Sequence, residues 1–312
     1  MTGGGHFPAE RNPRSGRYPA PLFPCVRQGA PVHSIHSTMM KRSTLLLLPA
    51  LATAMTFSAS AAEPAKPLKA LLVLGGCCHD YGTQKDILEA GIESRANIQV
   101  DVCYSDDKGT KPAFSCYEKD DWAAAYDVVI HDECAADVKD PAMVKRILDP
   151  HRKGLPAVAL HCAMHSYRVS PNFGKPMEAA AEGGEWFDFL GLQSSGHGPQ
   201  QPISITYTDS ASPITKGMEN WTTGKEELYN NLSIRGTAKP LAKGKQGDKE
   251  TVIAWTNEFG DKKTKVFGTT LAHNNETVSD ARYLDLVTRG LLWTCGKLGD
   301  DGKPAEGYAA AK

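Results

Sequence analysis

Leu68-Lys69-Ala70-Leu71-Leu72-Val73-Leu74-Gly75-Gly76 is the stretch on which the fold turns. Apart from Lys69 it is an unbroken apolar run, without the polar alternation of a half-solvated strand, and two glycines close it. Such a run reads as a strand covered on both faces, the environment of a parallel sheet. Downstream the pattern repeats with helices between. Spacing predicts a helix over about 83–96, a strand over 98–104, a short helical patch around 121–125 and a third strand over 126–130. Asp140-Pro141 opens a helix through about Leu148, with proline at the first helical position, and 156–160 is a fourth apolar strand. Strands alternating with helices at this spacing predict an α/β domain whose mostly parallel sheet carries helices on both sides.

The second half is more irregular. Residues 170–200, rich in glycine, proline and aromatics, read as a long functional loop with short helices. Strands resume at 203–208, 252–256 and 265–271, and an amphipathic helix spans about 280–295, with Ser279 as its N-cap and Gly296 just beyond its end. The tail over 297–312 is expected to be disordered.

The front of the chain reads as a delivery signal. Lys41 and Arg42 precede four leucines, Leu45 to Leu48, and the apolar stretch ends in Ala59-Ser60-Ala61, the pattern of a signal peptide over 40–61 that exports the protein to the periplasm or beyond. Residues 1–39 then form a disordered or non-native leader, 62–67 a linker, and 68–296 the α/β domain. Removing 61 residues leaves 251, which carry 29 basic and 35 acidic side chains, a net of −6. That charge argues against nucleic acid as a partner. The h-region is shorter than a bilayer span needs, and no later run approaches one, so no membrane span is expected. The oligomeric state is left open, a homo-oligomer included.

Seven of the eight cysteines follow the signal: Cys77, Cys78, Cys103, Cys116, Cys134, Cys162 and Cys295. An odd number leaves at least one free in an oxidising compartment. Cys103 and Cys116 flank a loop after a strand and are the favoured disulfide pair; the competing reading is that the thiols are buried and behave as small apolar residues.

Ligands of an open α/β sheet bind outside the carboxyl ends of its strands, and the histidines concentrate there. His79 follows the first strand, His131 ends the third, His161 ends the fourth with His165 one turn later, and His273 follows the last long strand. His197 lies in Gly196-His197-Gly198; His151 alone has no such placement. Singly, each reads as a hydrogen-bonded strand-end residue; together they read as a site. Two chemistries fit it: coordination of a divalent metal, zinc or similar, and acid–base work near neutrality. Asp80, Asp132 and Glu133 adjoin histidines, and Glu226-Glu227-Leu228-Tyr229 reads as a loop in which Glu226 is solvated and Glu227 and Tyr229 are functional. Tyr167, Phe173, Trp186 and Phe187 with Arg168 read either as a sugar-stacking wall or as a local core. Cys162 occupies the strand-to-helix position of a nucleophile elbow but lacks flanking glycines. Without GxGxxG or GxxxxGK[ST], no nucleotide cofactor is expected.

Five motifs in order, LVLGGCCHDY (72–81), ALHCAMH (159–165), SGHGP (195–199), EELYN (226–230) and FGTTLAHN (267–274), resemble the ThuA-like, trehalose-utilisation family over about 68–296. The resemblance implies a flavodoxin-like, doubly wound sheet of the class I glutamine amidotransferase-like type. It also implies a role in bacterial use of disaccharides and of their 3-keto derivatives made by partner dehydrogenases. His79, His161, His197, Glu227, Tyr229 and His273 match the family's pocket-lining positions. The amidotransferase Gly-x-Cys-x-Gly elbow is missing, and Asn274-Asn275-Glu276 replaces the His-x-Glu of that class, so a glutaminase is not expected.

The leading expectation is an exported hydrolase or lyase that acts on a disaccharide or its 3-keto form. Acid–base work falls to His161, His165, Glu227 and His131, and sugar contacts to Asp80, Tyr81, His197, Arg168, Tyr229 and Asn274. His79, His161 and His273 would hold a metal. The alternatives are a non-catalytic periplasmic sugar-binding protein and a Cys162-dependent hydrolase.

Overall fold

The computed structural model describes residues 65–310; the leader and signal-peptide readings lie outside the described residues. The expected strand is β1 (Leu68–Gly76), followed by α1 (Tyr81–Glu93), β2 (Ile98–Ser105), β3 (Val128–Cys134), α2 (Pro141–Arg152) and β4 (Ala157–Leu160). Then come α3 (Glu185–Leu190), β5 (Leu192–Gln201), β6 (Ser204–Tyr207), β7 (Trp221–Thr222) and β8 (Glu226–Ile234). The chain closes with β9 (Lys239–Gln246), β10 (Lys249–Phe259), β11 (Thr264–Thr269), α4 (Asn275–Val278) and α5 (Ala281–Thr294).

Nine strands form one sheet in the order β2-β1-β3-β4-β11-β10-β9-β6-β7. The first five are parallel and the remaining pairings antiparallel. The parallel half has the flavodoxin-like order, in which the chain leaves β1 toward β2 and then returns to β3 on the other side. That reversal opens a crevice beyond the carboxyl ends of β1 and β3.

Period-two alternation splits the core into two layers. Ala70, Leu72 and Leu74 pack on one face with Leu88 and Ile92 of α1 and Tyr283, Val287 and Leu291 of α5. Leu71 and Val73 pack on the other with Val144, Ile147 and Leu148 of α2 and Trp186 and Phe189 of α3. Asp140 caps α2 by accepting a hydrogen bond from the Ala142 N–H, with Pro141 at the first turn. No described helix is long and apolar enough to cross a membrane.

Several expectations need correction. The third strand runs to Cys134, so His131 lies within it rather than at its end. The long loop contains α3 and β5, and Gly196-His197-Gly198 belongs to that strand, which pairs with β8. The stretch from Glu226 is β8, not a loop. Asp280, not Ser279, caps α5: its carboxylate accepts from Arg282 N–H, while Ser279 ends α4. The tail expected to be disordered is held through residue 310: Asn97 N–H donates to Tyr308 O, Ala96 and Ala309 form a bridge, and Lys297 lies over the Tyr308 ring.

Candidate functional site

Five chain segments meet beyond the carboxyl ends of β1, β3, β4 and β11, and strained backbone marks three of them. Gly75 and Gly76 turn the chain out of β1 with φ of +139° and +102°; a Cβ there would strike the carbonyl oxygens of Ser105 and Cys134. Cys78 (φ +85°), His161 (φ +32°) and Ala272 (φ +97°) are non-glycine residues in left-handed or neighbouring regions, at the turns presenting His79, His161 and His273. Such conformations persist only where the surroundings impose them, and they concentrate at functional sites. The sharp corner after β4 therefore falls on His161; Cys162 comes one residue later, inside a 3₁₀ turn over His161–His165.

These turns bring the three expected metal-binding histidines together. Ring centroids lie 4.7 Å apart for His79–His161 and His79–His273, and 5.7 Å for His161–His273. His161 Nδ1–H donates to Thr270 O at 2.7 Å and His79 Nδ1–H to His273 O at 3.0 Å. Each bond selects the tautomer whose Nε2 carries a lone pair. His79 Nε2 lies 2.9 Å from Cys162 Sγ, where it accepts the thiol proton.

Glu227, 5 % exposed on β8, is the hub. Its carboxylate oxygens lie 3.2 Å from His273 Nδ1, 3.5 Å from His197 Nδ1 and 3.6 Å from His161 Nε2, and Gln200 Nε2–H donates to it at 3.2 Å. Burial pushes its pKa up, but the imidazoles of His161 and His273 beside it outweigh burial and hold it well below the carboxylate range. The nearby Glu227 carboxylate in turn raises His273 above an ordinary imidazole. His79 is pushed down to about 3 by burial and then by the charge of His161. Burial and then Arg168 lower His165 as well; its ring stacks on Tyr229 at 4.2 Å and its Nε2 pairs with Ser194 Oγ. The site thus holds an ionised carboxylate, one imidazole favoured as imidazolium and two kept neutral.

Cys78, His79, Cys134, His165, Arg168, His197, Glu227 and Tyr229 line a cavity of about 200 Å³. A larger groove of about 840 Å³ beside α2, bounded by Val169, Pro171, Met177 and Glu182, carries no histidine or cysteine.

The donor set fits a metal. His161 Nε2 and His273 Nδ1 are buried and have no hydrogen-bond partner of good geometry. With a Glu227 oxygen they form a group whose ligand atoms all lie within 4.8 Å of one another. Around one ion at 2.0–2.1 Å, tetrahedral donors stand about 3.4 Å apart, close to the Glu227 spacings. The expected trio is thereby revised: His79 instead joins His161 and Cys162 in a second, overlapping group.

Among the expected sugar contacts, His197, Arg168 and Tyr229 line the cavity. Asp80, Tyr81 and Asn274 do not. Asp80 is exposed and accepts from Asn275, Tyr81 is fully buried beside His79, and Asn274 caps α4. His131 lies outside the cavity too. Strand parity turns it and Glu133 into the α2–α3 layer, where His131 Nδ1 lies 3.0 Å from Glu133 and its Nε2 lies 3.1 Å from His151 Nε2. Tyr167, Trp186 and Phe187 form the local core rather than a stacking wall, being at most 2 % exposed. Glu226, read as solvated, is fully buried and accepts the backbone N–H groups of His273 and Asn274. Its chemistry matches Glu227, so only strand register separates the two roles.

A family profile described as trehalose utilisation (ThuA) matches residues 69–294. Among solved structures, a ThuA-like protein of Parabacteroides merdae is 19 % identical, with 79 % of this chain and 98 % of that one covered at a TM-score of 0.58. A ThuA-like protein of Bacteroides uniformis is 14 % identical, covering 75 % and 94 %, at 0.53. A glutamine amidotransferase of Thermotoga maritima is 11 % identical, covering 73 % and 98 %, at 0.41. At these identities the likeness to the two ThuA-like structures is one of fold. No curated protein matches.

Proposed function

For a chain that belongs to the ThuA, trehalose-utilisation family, with the carbohydrate-utilisation role that membership suggests, we propose catalysis on the 3-keto form of a disaccharide or glycoside. The signal-peptide reading makes the enzyme an exported one. The observation that carries the reading is the arrangement around Glu227: His273 at 3.2 Å, raised above an ordinary imidazole, and His161 at 3.6 Å, whose Nδ1 is tied to Thr270 O so that its Nε2 is directed toward the carboxylate. Two imidazoles that share one carboxylate in different settings are suited to acid and base roles.

A ketone at C3 acidifies the proton on C2. His161 Nε2 takes that proton, held to its tautomer by Thr270 O, and Glu227 stabilises the imidazolium that forms. His273 donates toward the departing glycosidic oxygen, so that elimination leaves an enone and a free alcohol. Arg168 and the Tyr229 hydroxyl, which is buried without a partner, face the oxygen on which negative charge grows. A divalent metal held by His161, Glu227 and His273 would act as a Lewis acid on that oxygen; His165 or His79 would then take the base role. The route needs no nucleophile. This agrees with Cys162, whose thiol is raised by its hydrogen bond with Cys134 and by burial. Ligand pockets usually span about 300–1,000 Å³, so the cavity of about 200 Å³ admits one ring and leaves the departing group at the mouth.

The test is product analysis with a 3-keto glycoside. The parent is expected to release the alcohol, and folded His161→Ala and His273→Ala to lose most of that rate; equal rates in all three would overturn the proposal.

A further inference from the structure

Beyond the imidazole–carboxylate centre, the same crevice holds a group of sulfurs for which the proposed reaction has no use. Cys77 and Cys78 are joined as a disulfide between adjacent residues. The free thiol of Cys134, at the end of β3, has its Sγ 3.3 Å from Cys77 Sγ. We propose that Cys77, Cys78 and Cys134 form a second, all-sulfur site for one thiophilic cation, closed by the Cys77–Cys78 disulfide and opened by reduction.

Three features support it. The sulfurs lie within 4.8 Å of one another, and thiolates bound to one ion at about 2.3 Å stand roughly 3.8–4.0 Å apart. Soft thiolates without a competing carboxylate select soft or borderline cations, Cu(I), Zn(II) or Cd(II), over Mg(II) and Ca(II). Entry is open as well: Cys78 is exposed, and both Cys78 and Cys134 line the cavity, although Cys134 is 5 % exposed. Cys162 is left out because its thiol is engaged with His79 Nε2.

The chemistry balances with an external dithiol. It gives two electrons and two protons to the Cys77–Cys78 bond, becoming a disulfide itself, and two thiols result. A divalent cation then displaces three thiol protons, leaving a metal tris-thiolate of net charge −1. The site is therefore blocked under oxidising conditions and available under reducing ones.

Cadmium is a suitable probe, because its thiolate bonds give an ultraviolet charge-transfer band that histidine and carboxylate ligands do not. The full chain is titrated with Cd(II) before and after reduction by a phosphine, which adds no competing thiol. One ion per chain is expected to produce the band after reduction only. Cys78→Ser and Cys134→Ser should weaken binding at least about tenfold, the smallest loss that removing even an outer-shell partner brings, whereas Glu227→Gln should leave the band in place. Circular dichroism checks the fold; Cys78, being exposed, removes no core contact. The proposal is overturned by an equal band before reduction, by none after it, or by a band that survives both substitutions. Its loss in Cys162→Ser would then place the cation on His79, His161 and Cys162, and its loss in Cys103→Ser on the Cys103–Cys116 pair, whose disulfide the phosphine also opens.

Discussion

Glu227→Gln is isosteric and removes one charge from the centre of the site. In the native protein that charge lies 3.2 Å from His273 Nδ1 and holds His273 above an ordinary imidazole. A unit charge at that distance is worth about 1.3 kcal/mol in bulk water and about 5 kcal/mol at an effective dielectric of 20. His273 keeps 14 % of its side chain exposed, so solvent screens part of the charge and the lower figure is the floor. About 1.3 kcal/mol corresponds to about one pH unit. Once the carboxylate is gone, burial, which lowers His273, acts with less opposition. The His273 midpoint should therefore fall by at least about one unit. The assay is a two-dimensional NMR titration of the imidazole carbon-bound protons, with His273→Gln supplying the assignment. The sign for stability follows. His273, raised in the fold, contributes below the unfolded imidazole pKa, and the contribution is lost as pH rises through its folded value. Glu227, depressed, contributes above the ordinary carboxylate pKa, and that is lost as pH falls. An unmoved His273 midpoint in folded Glu227→Gln would refute the electrostatic account of the site.

Two further outcomes follow from the packing. His151, fully buried and pushed down to about 3 by burial and by His131, is neutral in the fold. Stability from this group is present above the unfolded imidazole pKa of about 6.5 and lost as pH falls toward 3, on the order of 3 kcal/mol by pH 4. Denaturant midpoints at pH 7 and pH 4 test this, and His151→Phe should flatten the dependence. Gly76→Ala forces a Cβ against the Cys134 carbonyl at φ +102°, and the loss should be on the order of 1–3 kcal/mol. A melting temperature equal to the parent's would contradict that reading of the turn.

How far the sequence reveals this molecule depends on which force shapes each part. β1 and β4 are legible because strands buried on both faces need continuous apolar residues, and α5 because its Leu and Val recur on one side. β5, which reads LQSSGHGPQQ, and β8, which reads EELYNNLSI, are not. Their pairing is broken by register shifts, and their buried residues include Gln193, bonded to the loop over 173–177, and Ser194, Glu226 and Glu227, which serve the site rather than an oily core. The convergence of His79, His161 and His273 is legible from strand ends alone. His131 misleads because a strand that runs four residues further than expected turns alternate side chains to opposite faces: Cys134 reaches the crevice, and His131 and Glu133 face away. Glu226 and Glu227 are identical in chemistry and adjacent in sequence. Only register makes one of them the anchor of the His273 backbone and the other the hub of the imidazoles.

The central claim is that this crevice moves the proton beside a sugar ketone. Its most direct measurement is proton NMR of a 3-keto glycoside in deuterated buffer, following the C2 signal. The parent should exchange that proton with solvent or eliminate across the bond, while folded His161→Gln should be slower by about 10²-fold or more, the scale of a lost general base. Exchange that proceeds equally in His161→Gln, or a C2 signal that the parent leaves untouched, would contradict it.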